Sequence, residues 1–130
     1  MGLTLSEIPE ECKGGVHSID TAHESYDQAL AYAQSQAGDL VHNPLCMYHT
    51  STGTLIGMRT SDTGNIRGWR VDCSTSSCPP HVNWWDWSGG SRGTGGRYGH
   101  AFFPSEQESP CSRRPNQFPW VYCLDGSPFP

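Results

Sequence analysis

The sequence contains no hydrophobic run close to the roughly 20 residues that a membrane-spanning helix needs. Its first residues, MGLTLSEIPEE, lack the basic start and apolar stretch of a secretory leader, so we expect a mature or recombinant form whose leader, if any, has been removed. Charged residues are scarce too, at 16% against about 25% in an average domain. The missing apolar run predicts a protein that does not associate with membranes, and the low charge, together with 15 glycines and 10 prolines, indicates a turn-rich fold.

Several signatures of known chemistry are also missing. No CxxC pair occurs, and the spacing of Cys73 and Cys78 fits zinc ligands poorly. The Gly-rich stretch SGGSRGTGGRYG is not a Walker loop and lacks a dinucleotide fingerprint. No GxSxG or HExxH is present, which leaves serine hydrolases and zinc proteases without a motif. We therefore expect neither a metal nor a cofactor.

Cysteine is the most informative residue that is present. An even number at wide spacing predicts three disulfides and an oxidising, extracellular compartment. Each bridge would stabilise the fold by about 2–4 kcal/mol, and the sequence alone does not select the pairing. The six cysteines are Cys12, Cys46, Cys73, Cys78, Cys111 and Cys123.

The charges are distributed unevenly along an acidic chain of net charge −5. Residues 1–58 carry seven acids and one base, whereas residues 59–130 carry six acids and seven bases. All seven of these bases are arginine, the side chain best suited to forked recognition of phosphate or carboxylate. They are Arg59, Arg67, Arg70, Arg92, Arg97, Arg113 and Arg114.

We expect one domain over residues 1–130, beginning with an irregular segment and then a helix. Thr21 and Glu24 form a T-x-x-E capping box, and Gly38 is a natural helix end, so the pattern predicts a helix over 21–37. Apolar residues recur at helical spacing and would form its buried stripe. They are Ala22, Tyr26, Ala29, Leu30, Ala33 and Ala37.

Beyond the helix the apolar pattern changes to a period of two, which is typical of strands joined by hairpins. The pattern predicts an α+β fold: one N-terminal helix followed by a four- to five-stranded antiparallel sheet, stapled by disulfides. The expected strands cover residues 54–59, 69–72, 81–87, 98–103 and 120–124.

Strand alternation sorts the polar side chains of two neighbouring strands. His81, Asn83, Trp85 and Trp87 share one face of the 81–87 strand, opposite Val82, Trp84 and Asp86, and Trp84 is expected in the core. On the next strand Tyr98, His100 and Phe102 share a face. Pairing the two strands would bring His81 or Asn83 toward Tyr98 and His100, although the register is not readable from the sequence.

Two imidazoles beside an arginine suit cleavage of RNA, because a histidine can both take and give a proton near neutrality. We predict His81 and His100 as the catalytic acid and base, and Arg70 as the group that stabilises charge on the phosphate. The Gly-rich stretch is either a phosphate-wrapping loop, with Arg92 and Arg97, or a hairpin connection. The predicted substrate-binding residues are Asn83, Trp85, Asp86, Arg97 and Tyr98.

Three strings in this region, GWRVD, HVNWWDW and GGRYGHAFFP, together with the helix SYDQALAYAQSQAG, resemble the C-terminal toxin modules of bacterial polymorphic toxins of the Rhs and contact-dependent type. The resemblance covers residues 24–104 and implies a nuclease with a compact barnase- or EndoU-like fold. The six cysteines depart from this pattern and fit a secreted eukaryotic, for example fungal, relative. The positions implied to matter are Arg70, Asp72, His81, Asn83, Asp86 and His100.

The sequence thus predicts a secreted, monomeric, toxin-like ribonuclease that acts on RNA and has an immunity or inhibitor protein as a partner. Two alternatives remain open. A non-catalytic secreted module that binds carbohydrate or a host protein fits the tryptophan cluster, since exposed indoles stack on sugars. An inhibitor or immunity protein fits the acidic N-terminal half.

Overall fold

The computed structural model describes residues 3–38, 40, 45–49, 55–60, 66–113 and 120–123. Two short 3-10 turns, Leu5–Glu7 and Glu10–Cys12, precede the first strand, and a third covers Pro110–Arg113. One α-helix, α1, spans Tyr26–Ala37. The described strands are β1 (Ile19–Ala22), β2 (Leu45–His49), β3 (Leu55–Thr60), β4 (Arg67–Asp72), β5 (His81–Asp86), β6 (Arg97–Phe102) and β7 (Trp120–Cys123).

The seven strands form one sheet in the order β1-β6-β5-β4-β3-β2-β7. Neighbours run antiparallel, except that β1 runs parallel to β6. The predicted α+β class is confirmed, and all five predicted strands are present. The sheet is larger than the four or five strands expected, because β1 and β2 were not predicted. β1 also precedes the helix and pairs with a strand far along the chain, which no local pattern reveals.

The helix starts later than the sequence predicts. Thr21 lies in β1, opposite Ala101, so the predicted start at Thr21 is wrong. Ser25 is the N-cap instead: its backbone is extended and its side chain accepts a hydrogen bond from the N–H of Gln28. The predicted end is confirmed, since Gly38 follows the helix with a φ of +87°, a conformation that favours glycine. No helix in the described ranges is long and apolar enough to cross a membrane.

The helix covers one face of the sheet and forms the core with it. Its alanines pack closely because they project so little, which leaves room for the large side chains that the sheet contributes. Trp84 is fully buried there, which confirms its predicted place in the core. The opposite face of the sheet therefore carries the alternate side chains of the same strands. The fully or largely buried residues that make up this core include Ala29, Ala33, Ala37, Trp69, Val71, Val82, Trp84 and Ala101.

Two disulfides are described, and both fasten the ends of the β4–β5 connection. Cys12 is bonded to Cys78, and Cys73 is bonded to Cys111. The first bridge ties the N-terminal segment to the loop that leads into β5. The expected third bridge falls on Cys46 and Cys123, whose side chains lie outside the described part of the structure, although their backbones are register partners in β2 and β7.

Candidate active site

Four polar side chains form a row across the sheet face that α1 leaves open. Asp20 of β1 is the register partner of His100 in β6, His100 is the partner of Asn83 in β5, and Asn83 is the partner of Arg70 in β4. Register partners in neighbouring strands point to the same side of a sheet. The row therefore gathers a carboxylate, an imidazole, an amide and a guanidinium within four adjacent strands.

A second row lies two residues further along β4, β5 and β6, and its side chains therefore point to the same face. His81 of β5 is paired with Asp72 of β4 on one side and with Phe102 of β6 on the other. The rings of His81 and His100 meet edge to face with 5.1 Å between their centroids. The structure thus brings together the two histidines that the sequence singled out, on one face and in contact.

His100 is held by a buried carboxylate. Its Nδ1 lies 2.8 Å from Oδ1 of Asp20, whose side chain is only 8% exposed. Asp20 also accepts hydrogen bonds from the hydroxyl of Ser18 and, at 3.0 Å, from the backbone N–H of Gly14. Burial works to raise the pKa of this carboxyl, but the hydrogen bonds outweigh it, and the pKa of Asp20 lies below its ordinary value of 3.8.

The contact with Asp20 also selects the tautomer of His100. An ionised carboxylate can only accept, so Nδ1 carries a proton, and in the neutral tautomer that this contact selects Nε2 has the lone pair. Within the described residues, Nε2 of His100 has no hydrogen-bond partner. Its ring is 17% exposed, which lets solvent or a ligand reach it. This arrangement suits an imidazole that takes a proton from a bound molecule.

His81 has a different environment, because both of its ring nitrogens face oxygen acceptors. Nε2 lies 3.2 Å from Oδ2 of Asp72, and Nδ1 lies 3.3 Å from the carbonyl oxygen of Pro79. A neutral ring has one N–H and can donate to only one of these oxygens, whereas a protonated ring can donate to both. Both ring nitrogens of His81 are therefore engaged, in contrast to Nε2 of His100.

Asp72 links His81 to Arg70. Its carboxylate accepts Nε of Arg70 at 2.7 Å and Nη2 at 3.3 Å, a two-point contact that orients the guanidinium. Burial works to raise the pKa of Asp72, but the hydrogen bonds from His81 and Arg70 outweigh it, so the pKa lies below 3.8. Asp72 is thus ionised at neutral pH and contacts both His81 and Arg70.

A cleft of about 370 Å³ opens in front of the first row. His100, Asn83 and Arg70 line it, and no carboxylate is among the described residues that do. His81 is not among the described residues that line this cleft; it contacts the ring of His100 and is 15% exposed. The guanidinium groups of Arg70 and Arg92 at this cleft suit an anionic ligand, and that of Arg70 also contacts Asp72. Its described lining residues are Gly14, Arg70, Asn83, Trp84, Trp85, Trp87, Arg92, Tyr98 and His100.

The N-terminal segment forms one wall of the cleft. Tyr98 donates its hydroxyl to the carbonyl oxygen of Gly14 at 3.3 Å. A Cβ on Gly14 would lie 2.5 Å from Oγ of Ser18 and 2.7 Å from Cε1 of His100, so only glycine fits beside the imidazole without displacing it. The Cys12–Cys78 bridge anchors this wall two residues before Gly14.

Three of the five predicted substrate-binding residues, Asn83, Trp85 and Tyr98, line the cleft. Trp85 is only 7% exposed and forms its floor. Asp86 and Arg97 do not line the cleft. They are register partners in β5 and β6 whose side chains point to the opposite face, where Arg97 donates a hydrogen bond to Gln36 of the helix. Asp86 accepts hydrogen bonds from Ser88 instead.

Sequence reasoning missed four residues of this site. Asp20 gave no signal, because the parallel strand that carries it was not predicted and its partner is 80 residues away. Gly14 lies in a segment expected to be irregular. Trp87 and Arg92 were noted without being assigned to the site, and only the fold of the Gly-rich loop places them beside Tyr98.

Comparison with known proteins does not add to this geometry. No protein-family model matches the chain, and a search of curated proteins finds no significant match. The resemblance to polymorphic toxin modules therefore stays a prediction. What the site does has to be argued from its own side chains.

Proposed function

We propose that the protein is a secreted, toxin-like ribonuclease that cleaves RNA by general acid–base catalysis with His100 and His81 and needs no metal for this reaction. The observation that carries the proposal is the arrangement of His100: Asp20 holds Nδ1, Nε2 has no hydrogen-bond partner among the described residues, and the imidazole lines a cleft together with Arg70. This arrangement matches what removal of a proton from a ribose hydroxyl requires.

In the proposed first step, Nε2 of His100 removes the proton of a ribose 2′-hydroxyl. The 2′-oxygen attacks the adjacent phosphorus, and the bond from phosphorus to the 5′-oxygen of the next nucleotide breaks. The leaving oxygen takes a proton from His81, which exchanges its contact with Asp72 for this oxygen. The products are a 2′,3′-cyclic phosphate and a free 5′-hydroxyl.

Arg70 supplies the third element of the reaction. Negative charge grows on the phosphate oxygens as the 2′-oxygen attacks, and a guanidinium already oriented by Asp72 stabilises it without having to reorganise. The amide of Asn83 lies between Arg70 and His100 in the same row and can hold a phosphate oxygen or a ribose hydroxyl.

The two described disulfides support an extracellular site of action, because such bridges persist in oxidising compartments. A secreted nuclease that enters a target cell is a toxin, and its producer needs protection from it. An immunity or inhibitor protein is therefore the expected protein partner of the cleft.

The test is incubation of the purified protein with single-stranded RNA between about pH 5 and 8, where histidines titrate. We expect cleavage with 2′,3′-cyclic phosphate ends, no cleavage of DNA of the same sequence, and loss of cleavage in His100→Ala. His23→Ala is the matched control, since His23 contacts Thr21 and Tyr32 away from the cleft. RNA that stays intact, or a fully active His100→Ala, would overturn the proposal.

A carbohydrate-binding module is the second candidate, and Trp87 favours it. The buried Trp85 cannot offer its face to a sugar, whereas Trp87 is half-buried and borders an open, largely apolar hollow. On a glycan array this candidate predicts binding that is lost in Trp87→Ala and kept in Trp85→Phe. Binding to no glycan removes it.

A further inference from the structure

We infer that the ring of Trp87, together with Arg92, forms a binding site for one unpaired nucleobase of the substrate, next to the scissile phosphate. The inference rests on the proposed ribonuclease function and extends it to a substrate class: single-stranded RNA recognised through base stacking. It concerns residues outside the predicted catalytic group.

Contacts with neighbouring residues hold Trp87 in place. Its backbone N–H donates to the carbonyl oxygen of Ile66 at 2.8 Å, which fixes the chain just after β5. Its ring packs against Tyr98, with 5.5 Å between centroids and an angle of 40° between planes. A Cβ on Gly96 would lie 2.5 Å from Cε3 of Trp87, so the indole rests directly on the backbone of the Gly-rich loop.

Trp87 takes part in two adjacent concave surfaces. One is the cleft that contains His100 and Arg70. The other is a hollow of about 460 Å³ formed with Gly90, Ser91 and Arg92, and its exposed surface is almost entirely apolar. A strand that placed its phosphate in the cleft would thus have an adjoining base within reach of an aromatic, mostly apolar surface.

Arg92 belongs to both surfaces as well. Its guanidinium lies 4.6 Å from the centroid of the Tyr98 ring, a cation–π contact that holds the charge at the boundary between cleft and hollow. Aromatic side chains beside a cationic groove are how single-stranded nucleic acids are bound without pairing, because every base has a face to stack and every link has a phosphate.

The charge of the cleft favours a nucleic acid over a neutral sugar. Arg70, Arg92 and His100 line it, and no carboxylate is among its described lining residues. A neutral pyranose would use the indole and accept hydrogen bonds from the guanidinium groups, but it would lack the charge attraction that a phosphate has to them. A base in a duplex is stacked and paired already, so the site selects unpaired strands.

The test measures binding separately from cleavage. A 2′-deoxy oligonucleotide lacks the attacking hydroxyl, and its affinity can be followed by quenching of tryptophan fluorescence or by anisotropy of a labelled strand. Since one stacked base contributes about 1–3 kcal/mol, Trp87→Ala should weaken binding by about 5- to 150-fold. Trp87→Phe should keep most of the affinity, and Arg92→Ala should reduce both affinity and its salt dependence. Arg97→Ala, which removes the same charge from the opposite face, is the matched control.

A series of oligonucleotides with one abasic position identifies the base concerned. When the missing base is the one that stacks on Trp87, the abasic strand should bind the Trp87→Ala variant and the unchanged protein equally well. If RNA is cleaved but Trp87→Ala binds as tightly as the unchanged protein, the base site is wrong and the nuclease stands. If oligonucleotides bind through Trp87 but RNA is never cleaved, the nuclease is wrong and the base site stands. Binding of neutral glycans alone would overturn both.

Discussion

Asp20 and His100 come from strands 80 residues apart and meet at 2.8 Å across the one parallel strand pair of the described sheet. The contact occupies Nδ1, Nε2 has no hydrogen-bond partner among the described residues, and the imidazole lines the cleft. In the proposed ribonuclease reaction Asp20 is a positioning residue, and its effect should resemble that of a carboxylate that orients a catalytic histidine in other hydrolases.

We expect Asp20→Asn to lower the rate of RNA cleavage by about 100- to 10,000-fold, because an amide can donate to Nδ1 and stabilise the wrong tautomer. The rate is measured with saturating RNA, and circular dichroism checks the fold. The pH profile of the residual rate should also change shape, which a purely structural defect would not cause. Asp27→Asn, in the exposed first turn of the helix, is the control. An unchanged profile would show that Asp20 does not position the base.

Gly14→Ala should reduce cleavage and destabilise the fold by about 1–3 kcal/mol, the usual cost of an added methyl group in a packed site. The new Cβ would overlap Cε1 of His100 and Oγ of Ser18. Thermal unfolding and the cleavage rate measure the two effects. The control is Lys13→Ala at the neighbouring position. It removes the ion pair of Lys13 with Glu10 and should change neither the stability nor the cleavage rate by much. Full activity in Gly14→Ala would mean that the N-terminal wall does not confine His100.

Loss of the Cys12–Cys78 bridge should impair both stability and cleavage. The bridge closes a separation of 66 residues, so the double variant Cys12→Ser and Cys78→Ser should lose about 2–4 kcal/mol in urea unfolding. Its segment carries Ser18 and Asp20, so cleavage should fall even where the protein is fully folded. The double variant Cys73→Ser and Cys111→Ser is the comparison, and it should lose stability with a smaller loss of rate in folded protein. Equal rates in the two folded variants would contradict this role.

Acid should destabilise the protein through the carboxylates of the site. The folded-state pKa values of Asp20 and Asp72 lie below the ordinary 3.8, so the unfolded chain binds more protons as the pH falls. Their contribution to stability is complete above the unfolded value and is lost as the pH falls through the folded values. In Asp72→Asn the free energy of unfolding should depend less on pH below about 4 than in the unchanged protein. The exposed Glu24→Gln is the control, and an equal slope in Asp72→Asn would refute the assignment.

Part of the site could be predicted because strand alternation is local. The sharing of one face by His81 and Asn83, and of another by Tyr98 and His100, follows from the period of two, and the hairpin brings the faces together. The same rule explains why Asp86 and Arg97 do not belong to the cleft. Each is the immediate neighbour of a cleft residue, Trp85 or Tyr98, and so points to the other side. Their assignment to substrate binding overlooked a constraint that the sequence contained.

The sequence by itself determined the helix over most of its length, its end at Gly38, five strands and the sides to which their residues point, because these depend on neighbours a few residues apart. Only the tertiary structure decided that Asp20 holds His100, that Gly14 lines the cleft and that Trp87 lies at the same cleft as His100. Each of these relationships joins segments far apart in the chain. Such pairings are selected by the packing of the whole sheet, and no short stretch of sequence records them.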